Sequence, residues 1–123
     1  MPIRYSIDHA TRLVLARAEG EIALKDIEEF TDAVMVENAM PYRKLFDGRD
    51  SHGTYDDHDL MQLGARISAY ASVERRGALA IVPSGEYVDL ARRFVNLAKS
   101  GRPAGVFLDP DEALDWLLAQ PDP

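Results

Sequence analysis

The chain reads as one α/β domain with a mostly parallel sheet and an antiparallel strand at its N-terminal edge. Three observations predict this class. Ile3–Asp8 alternates apolar and polar residues and is followed at once by a second strand-like run. From Leu24 onward, segments with helical spacing alternate with short apolar runs. Ala78–Val82 is continuously apolar, as in a strand covered on both faces of a parallel sheet. Strands that alternate with helices pair in parallel through right-handed crossovers.

Each element follows in order. Ile3, Tyr5 and Ile7 share one side of the first strand, with Arg4, Ser6 and Asp8 on the other. His9-Ala10-Thr11 is a short turn, so Arg12–Glu19 returns as the second strand of a hairpin that Gly20 ends. Leu24–Glu37 is a helix: Leu24, Ile27, Phe30 and Val34 form one stripe opposite Lys25, Asp26, Glu28, Glu29 and Asp32. Pro41 prevents its continuation. Tyr42–Asp47 carries Leu45-Phe46, a short buried strand closed by Asp47-Gly48, and Gly48–Tyr55 is a polar loop. Asp56-Asp57-His58-Asp59 places negative charge in the first turn of a helix whose stripe is Leu60, Leu63, Gly64, Ile67 and Ala71. Gly77 breaks the chain before the apolar strand.

Pro83-Ser84-Gly85 turns into a third helix, with Ser84 suited to its N-cap. Tyr87, Leu90, Ala91, Phe94, Leu97 and Ala98 form its core face, and Gly101 ends it. Ala104–Leu108 is the last strand. Asp109 then caps a helix with proline at its first position and Glu112 three residues past the cap. Ala113, Leu114, Leu117 and Leu118 pack that helix, and Trp116 is placed for partial burial. The order is β-β-α-β-α-β-α-β-α. Residues 1–120 form the domain and 121–123 a frayed tail.

Bulk properties remove several function classes. A chain of 123 residues is the size of a single domain. There is no cysteine, which excludes disulfides, thiolate catalysis and cysteine-bound metals. The net charge of −7 opposes general nucleic-acid binding, which needs a basic surface. The adjacent basic pairs, Arg75-Arg76 and Arg92-Arg93, read as solvated helix faces or ends. The N-terminus lacks a signal-peptide pattern, and no apolar run approaches the roughly 20 residues of a spanning helix. A soluble, cytoplasmic protein without cofactor is the expectation.

Several features together resemble one family. They are a hairpin closing on Glu19-Gly20 before the first helix, a strand ending at Asp47, and an apolar strand after Arg75-Arg76-Gly77. To these add a helix holding Tyr87 and Phe94, and the terminal Glu112-Ala113-Leu114-Asp115-Trp116-Leu117. The pattern is similar to the SpoIIAA-like fold of STAS domains, and within that group to bacterial STAS-like proteins of unknown function. The resemblance covers nearly the whole chain and implies a binding or regulatory domain. In anti-sigma-factor antagonists of this group, a serine in an Asp-Ser-x-Gly context at the start of the second helix is phosphorylated. Asp50-Ser51-His52-Gly53 carries those letters, so the resemblance makes Ser51 a candidate phospho-acceptor. Its spacing from Asp47 departs from the family's, and puts Ser51 in the loop.

Ligands of open parallel sheets bind outside the carboxyl ends of the strands. Those ends carry Asp47 with the loop after it, Ser84, and Asp109. The candidate binding residues are therefore Asp47, Asp50, Ser51, His52, Thr54, Ser84 and Asp109, meeting a protein partner or a small anionic or apolar ligand. A second reading is a small acid–base enzyme pairing His52 with Asp47 or Asp109, which needs both groups within reach of one proton. A third is a homodimeric assembly module. His52 and His58 with Asp50, Asp56, Asp57 and Asp59 match no established metal-site spacing, and no metal is expected. Ser84 lacks the Gly-x-Ser-x-Gly elbow of a hydrolase nucleophile.

Overall fold

The computed structural model describes residues 2–54, 56–70, 76–98 and 102–121. Several expected placements lie outside the described residues: Tyr55, Ala71, Arg75, Gly101, the last two residues of the tail, and the stripe side chains of Leu60, Ile67, Leu97 and Ala98.

The N-terminal alternation folds as a hairpin. Strand β1 (Ile3–Asp8) pairs antiparallel with β2 (Leu13–Ile22), with Ile3 opposite Ala18 and Asp8 opposite Leu13. The turn is held by Asp8, whose Oδ1 accepts from the backbone N–H of Ala10 at 2.9 Å and Thr11 at 3.2 Å. Hydrogen bonds from Thr11 and Ala10 hold the Asp8 carboxyl below its usual range. Arg12 completes the turn in the left-handed region, at φ 53°.

Helix α1 (Leu24–Val36) follows, and Asp26 in its first turn accepts from the Ala23 N–H at 2.9 Å. Strand β3 (Arg43–Gly53) leads to α2 (Asp57–Tyr70), where Asp56 and Asp59 cap each other's N–H reciprocally. Strand β4 (Leu79–Pro83) passes through a 3-10 turn, Gly85–Tyr87, into α3 (Val88–Ala98). Strand β5 (Ala104–Val106) precedes α4 (Pro110–Leu118), capped by the Asp109 carboxylate on the Asp111 N–H at 3.0 Å.

The sheet order is β1-β2-β3-β4-β5, antiparallel at β1-β2 and parallel elsewhere. Strand order thus equals chain order. Right-handed crossovers that always step the same way leave α1, α2 and α3 on one face of the sheet. Helix α4, which follows the last strand, covers the other. Its Ala113 and Leu117 are buried against Leu45, Ala80 and Val82. On the three-helix face, Ile27 and Phe30 pack against Ala16, Ala18, Ile22 and Phe46, while Val34 packs against Val14 and Met40. Helix α3 contacts β4 and β5, and α2 lies on α1 and α3.

Five local expectations change. Strand β2 does not stop at Gly20 but runs to Ile22, with Gly20 at φ 75° inside it. Strand β3 does not stop at Asp47: residues Asp50–Gly53 pair with Glu19–Ile22, so the expected loop is largely strand. The last strand ends at Val106, and Leu108 is 69% exposed. Strand β4 is fully covered only on the α4 side, where Ala80 and Val82 are buried while Leu79 and Ile81 are half-buried. The helix stripe also omitted Val95, which is buried in α3.

Gly77 sits where the chain enters β4, and its N–H donates to the Met40 carbonyl at 2.9 Å. A Cβ there would run into the carbonyl oxygens of Pro41 and Tyr42. Backbone atoms cannot swing aside as a flexible side chain can. Gly77→Ala should therefore lose about 2 kcal/mol or more in urea unfolding. Gly85→Ala, with nothing within 4 Å of the new methyl, should stay within about 0.5 kcal/mol.

Candidate functional site

The site is built on the paired extension of β2 and β3. Between Arg17↔Asp47 and Glu19↔Asp50 the register shifts, so Gly48 and Arg49 together oppose the single residue Ala18. This is a β-bulge, which bends a strand and re-aims its side chains. Arg49, in the bulge, clamps the Asp47 carboxylate with Nε to Oδ1 at 3.1 Å and Nη2 to Oδ2 at 3.0 Å. That hydrogen bonding, aided by the charges of Asp50 and Asp109, raises the basicity of Arg49. Arg17 is raised likewise, first by its 2.7 Å hydrogen bond to Asp50 and then by Glu19. Asp47 and Asp50 are thus each paired with an arginine at the carboxyl end of the sheet, while Asp109 caps α4.

The hydroxyl residues have a different surrounding. Ser51 is half-buried within β3 and donates to the Gly48 carbonyl at 2.8 Å. It lies neither in a loop nor at a helix start. Ser84, directly after β4, has its Oγ buried with no hydrogen-bond partner among the described residues. The expected N-cap bond from its side chain is not made. Both serines line one cavity. Thr54 continues past the strand end, its N–H donating to the Ile22 carbonyl at 2.9 Å. The strand terminus is pinned by Tyr87, whose hydroxyl donates to the Gly53 carbonyl and accepts from the Gly53 N–H, each at 3.1 Å.

His52 joins neither group. It is exposed on β3, opposite Glu21, and no hydrogen bond links it to Asp47 or Asp109. Five residue steps along β3 separate it from Asp47, roughly 15 Å of extended chain. Both oxygens of Asp47 are already engaged by Arg49. The second reading's acid–base partners, His52 with Asp47 or Asp109, are thus not joined by a hydrogen bond. Among the described residues, no group of three or more His, Asp or Glu is placed to hold a metal ion.

The cavity has a volume of about 160 Å³ and lies between the sheet and the three helices. Phe46, Gly48 and Ile81 form its floor, Phe30 and Phe94 its sides, and Leu63 of α2 its roof. Ser51, Ser84 and Tyr87 line its carboxyl end, and Lys44, Leu79 and Arg102 its amino end. Sequence reasoning missed this enclosure and most of its lining. One signal was present: Lys44, Phe46 and Gly48 share a parity along β3, which puts a lysine on the same face as a core phenylalanine.

The chain has the SpoIIAA-like fold. It superposes on the crystal structure of an uncharacterised protein of the DUF3478 family from Shewanella loihica PV-4, which has a SpoIIAA-like fold, with a TM-score of 0.61. The two share 24% sequence identity over 94% of this chain and 93% of the other. No family model matches the chain, and no curated protein does either. Among the described residues, no helix is long and apolar enough to cross a membrane.

Two measurements check that the site is strand. Native-state hydrogen exchange should find the Gly53 and Thr54 amides protected, and Tyr87→Phe should speed exchange at Gly53 by about tenfold through loss of its partner. Free-loop exchange rates at both amides in the unmodified protein would contradict the pairing. Ile22→Ala, which empties a fully buried position in the extension, should cost about 2–4 kcal/mol by denaturant titration.

Proposed function

We propose that this domain is a non-enzymatic binding module of the STAS-like kind, which holds a small apolar or amphipathic molecule between its sheet and its three-helix layer. The observation that carries this reading is the cavity. This 160 Å³ space is walled largely by phenylalanine, leucine and isoleucine, whose apolar surface lacks packing partners on the cavity side. An apolar occupant restores the lost contacts. The size suits a compact ligand, since a cavity of about 150 Å³ lined by similar side chains admits benzene.

The polar residues expected at the site take two roles in this reading. Ser51 and Ser84 offer hydroxyls at the carboxyl end of the cavity, and the buried Ser84 Oγ is a donor available to a polar group on the ligand. Asp47, Asp50 and Asp109, with Arg17 and Arg49, form the charged exterior of the same end and keep the bulge in place. His52 and Thr54 are on the exposed rim.

The test uses the neutral probe 1-octanol. A hundredfold excess over its Kd should add about 2.7 kcal/mol of stability. For a domain of this size that raises Tm by about 8–11 °C. Ala91→Phe, which grows a buried cavity wall residue into the void, should abolish the rise while the variant stays folded. No octanol effect on Tm, and no NMR shift changes at Leu63, Ile81 or Phe94 on adding it, would sink the reading.

A further inference from the structure

Strand β1 is one edge of the sheet, and among the described residues no strand lies beyond it. Edge strands are ordinarily blunted by a bulge, a proline, a lysine or short length. The opposite edge is short, since β5 is only Ala104–Val106. Ile3–Asp8 is longer, its register with β2 is unbroken, and it holds neither proline nor lysine. The phase of its hydrogen bonds is set by the Glu19 N–H, which donates to the Pro2 carbonyl at 2.9 Å. Alternation from that pair turns the backbone groups of Arg4, Ser6 and Asp8 toward β2. The N–H and C=O groups of Ile3, Tyr5 and Ile7 therefore face outward.

The side chains of this edge are unevenly satisfied. Arg4 stands opposite Arg17, a like-charge pair across the two strands. Arg17 has acids of its own, Asp50 and Glu19, whereas among the described residues Arg4 has no ion pair. Asp8 lies on the same face, and hydrogen bonds from Thr11 and Ala10 keep its carboxyl ionised. Arg4, Ser6 and Asp8 are all exposed. On the face toward α1, Tyr5 meets Phe30 but stays 42% exposed, and Ile7 is half-buried.

We propose that β1 pairs antiparallel with the β1 of a second copy of this chain, about a two-fold axis at Ser6, so that two sheets join into one. Centring on Ser6 sets Arg4 against the partner's Asp8, and Asp8 against the partner's Arg4. The acid that Arg4 lacks within its own chain is thus supplied twice, once across each half of the interface. Tyr5 and the partner's Ile7 become opposite neighbours, an aromatic and β-branched pair that covers exposed apolar surface. Their outward N–H and C=O groups are in phase to exchange hydrogen bonds. A two-fold at Tyr5 instead would set Arg4 against Ser6 and lose both charge pairs, so charge selects the register. There is room for the second copy. Helix α1 packs over β2, on Ala16, Ala18 and Ile22. The two β2 strands would lie three strand spacings apart, about 14 Å. That exceeds the roughly 8–10 Å between packed helices. Helix α4 contacts β3 and β4, away from this edge.

The experiment is sedimentation equilibrium of the full chain from about 5 to about 500 μM, in about 0.15 M salt, where the net charge of each copy is screened beyond about 8 Å. The mass should rise from one chain toward two across that range. Arg4→Asp should weaken the dimer about tenfold, because both charge pairs become like-charge pairs. Asp8→Arg should do the same. An equimolar mixture of the two variants should restore the dimer, since each charge then meets its opposite. Asp8 also holds the hairpin turn, so hydrogen exchange on the unmodified protein decides if Asp8→Arg does not fold. The Tyr5 and Ile7 amides should gain protection as concentration rises, while those of Arg4 and Ser6 stay protected throughout. A single-chain mass at every concentration would overturn the proposal, and so would a dimer in which the Tyr5 and Ile7 amides exchange freely. A dimer that Arg4→Asp leaves unchanged would overturn the Ser6 register.

Discussion

The structure depends on the one-way order of its strands, which commits three helices to one face of the sheet. Strand order follows chain order, and the crossovers all step in one direction. Three helices are therefore committed to the same side. Helix α1 settles over the β1-β2 side and α3 over β4 and β5. Helix α2 lies on both of them. The space beneath it is the cavity. On the opposite face a single helix covers the sheet, and the packing of Ala80, Val82, Ala113 and Leu117 is tight.

The bulged extension of β2 and β3 determines what that cavity meets at its carboxyl end. Without it, residues 48–53 would leave the sheet and the end would open to water. With it, Gly53 is tied to Tyr87 at the start of α3, and Ser51 becomes part of the wall. The charged residues of the same segment turn outward and neutralise one another through Arg17 and Arg49. One stretch of chain thus separates two chemistries, hydroxyl groups within and ion pairs outside. The exposed pairs contribute little stability individually, of order 1 kcal/mol at most. Burial of Ala18 and Ile22 is what holds the extension in register.

Much of the candidate site was legible, but in pieces. The general rule that open sheets bind at their carboxyl ends pointed to Asp47, Ser51 and Ser84; the two serines line one cavity, whereas Asp47 pairs with Arg49 outside it. Asp109 was legible as a helix cap from the Asp-Pro-x-Glu pattern, and it caps α4. The nature of the 48–53 segment was not legible. Gly-Arg-Asp-Ser-His-Gly has no β-branched or aromatic residue, and its glycines read as stops. Its strand conformation comes from a partner, Glu19–Ile22, that is also polar apart from Ile22. Neither segment would be extended on its own. Lys44 and Arg102 were passed over because a charged residue beside an apolar strand ordinarily marks its solvated edge.

By itself the sequence determined the class, the order of elements, the helix starts and the hairpin. These depend on local periodicity, capping residues and turn chemistry, all of which act within a few residues. Only the tertiary structure decided that the stretch after Asp47 pairs as strand, that Ser51 and Ser84 share a wall, and that two buried cations face them along 13 Å of strand. Each of those facts joins residues distant in the chain. They follow from the order and pairing of the strands, which exist only once the strands lie side by side.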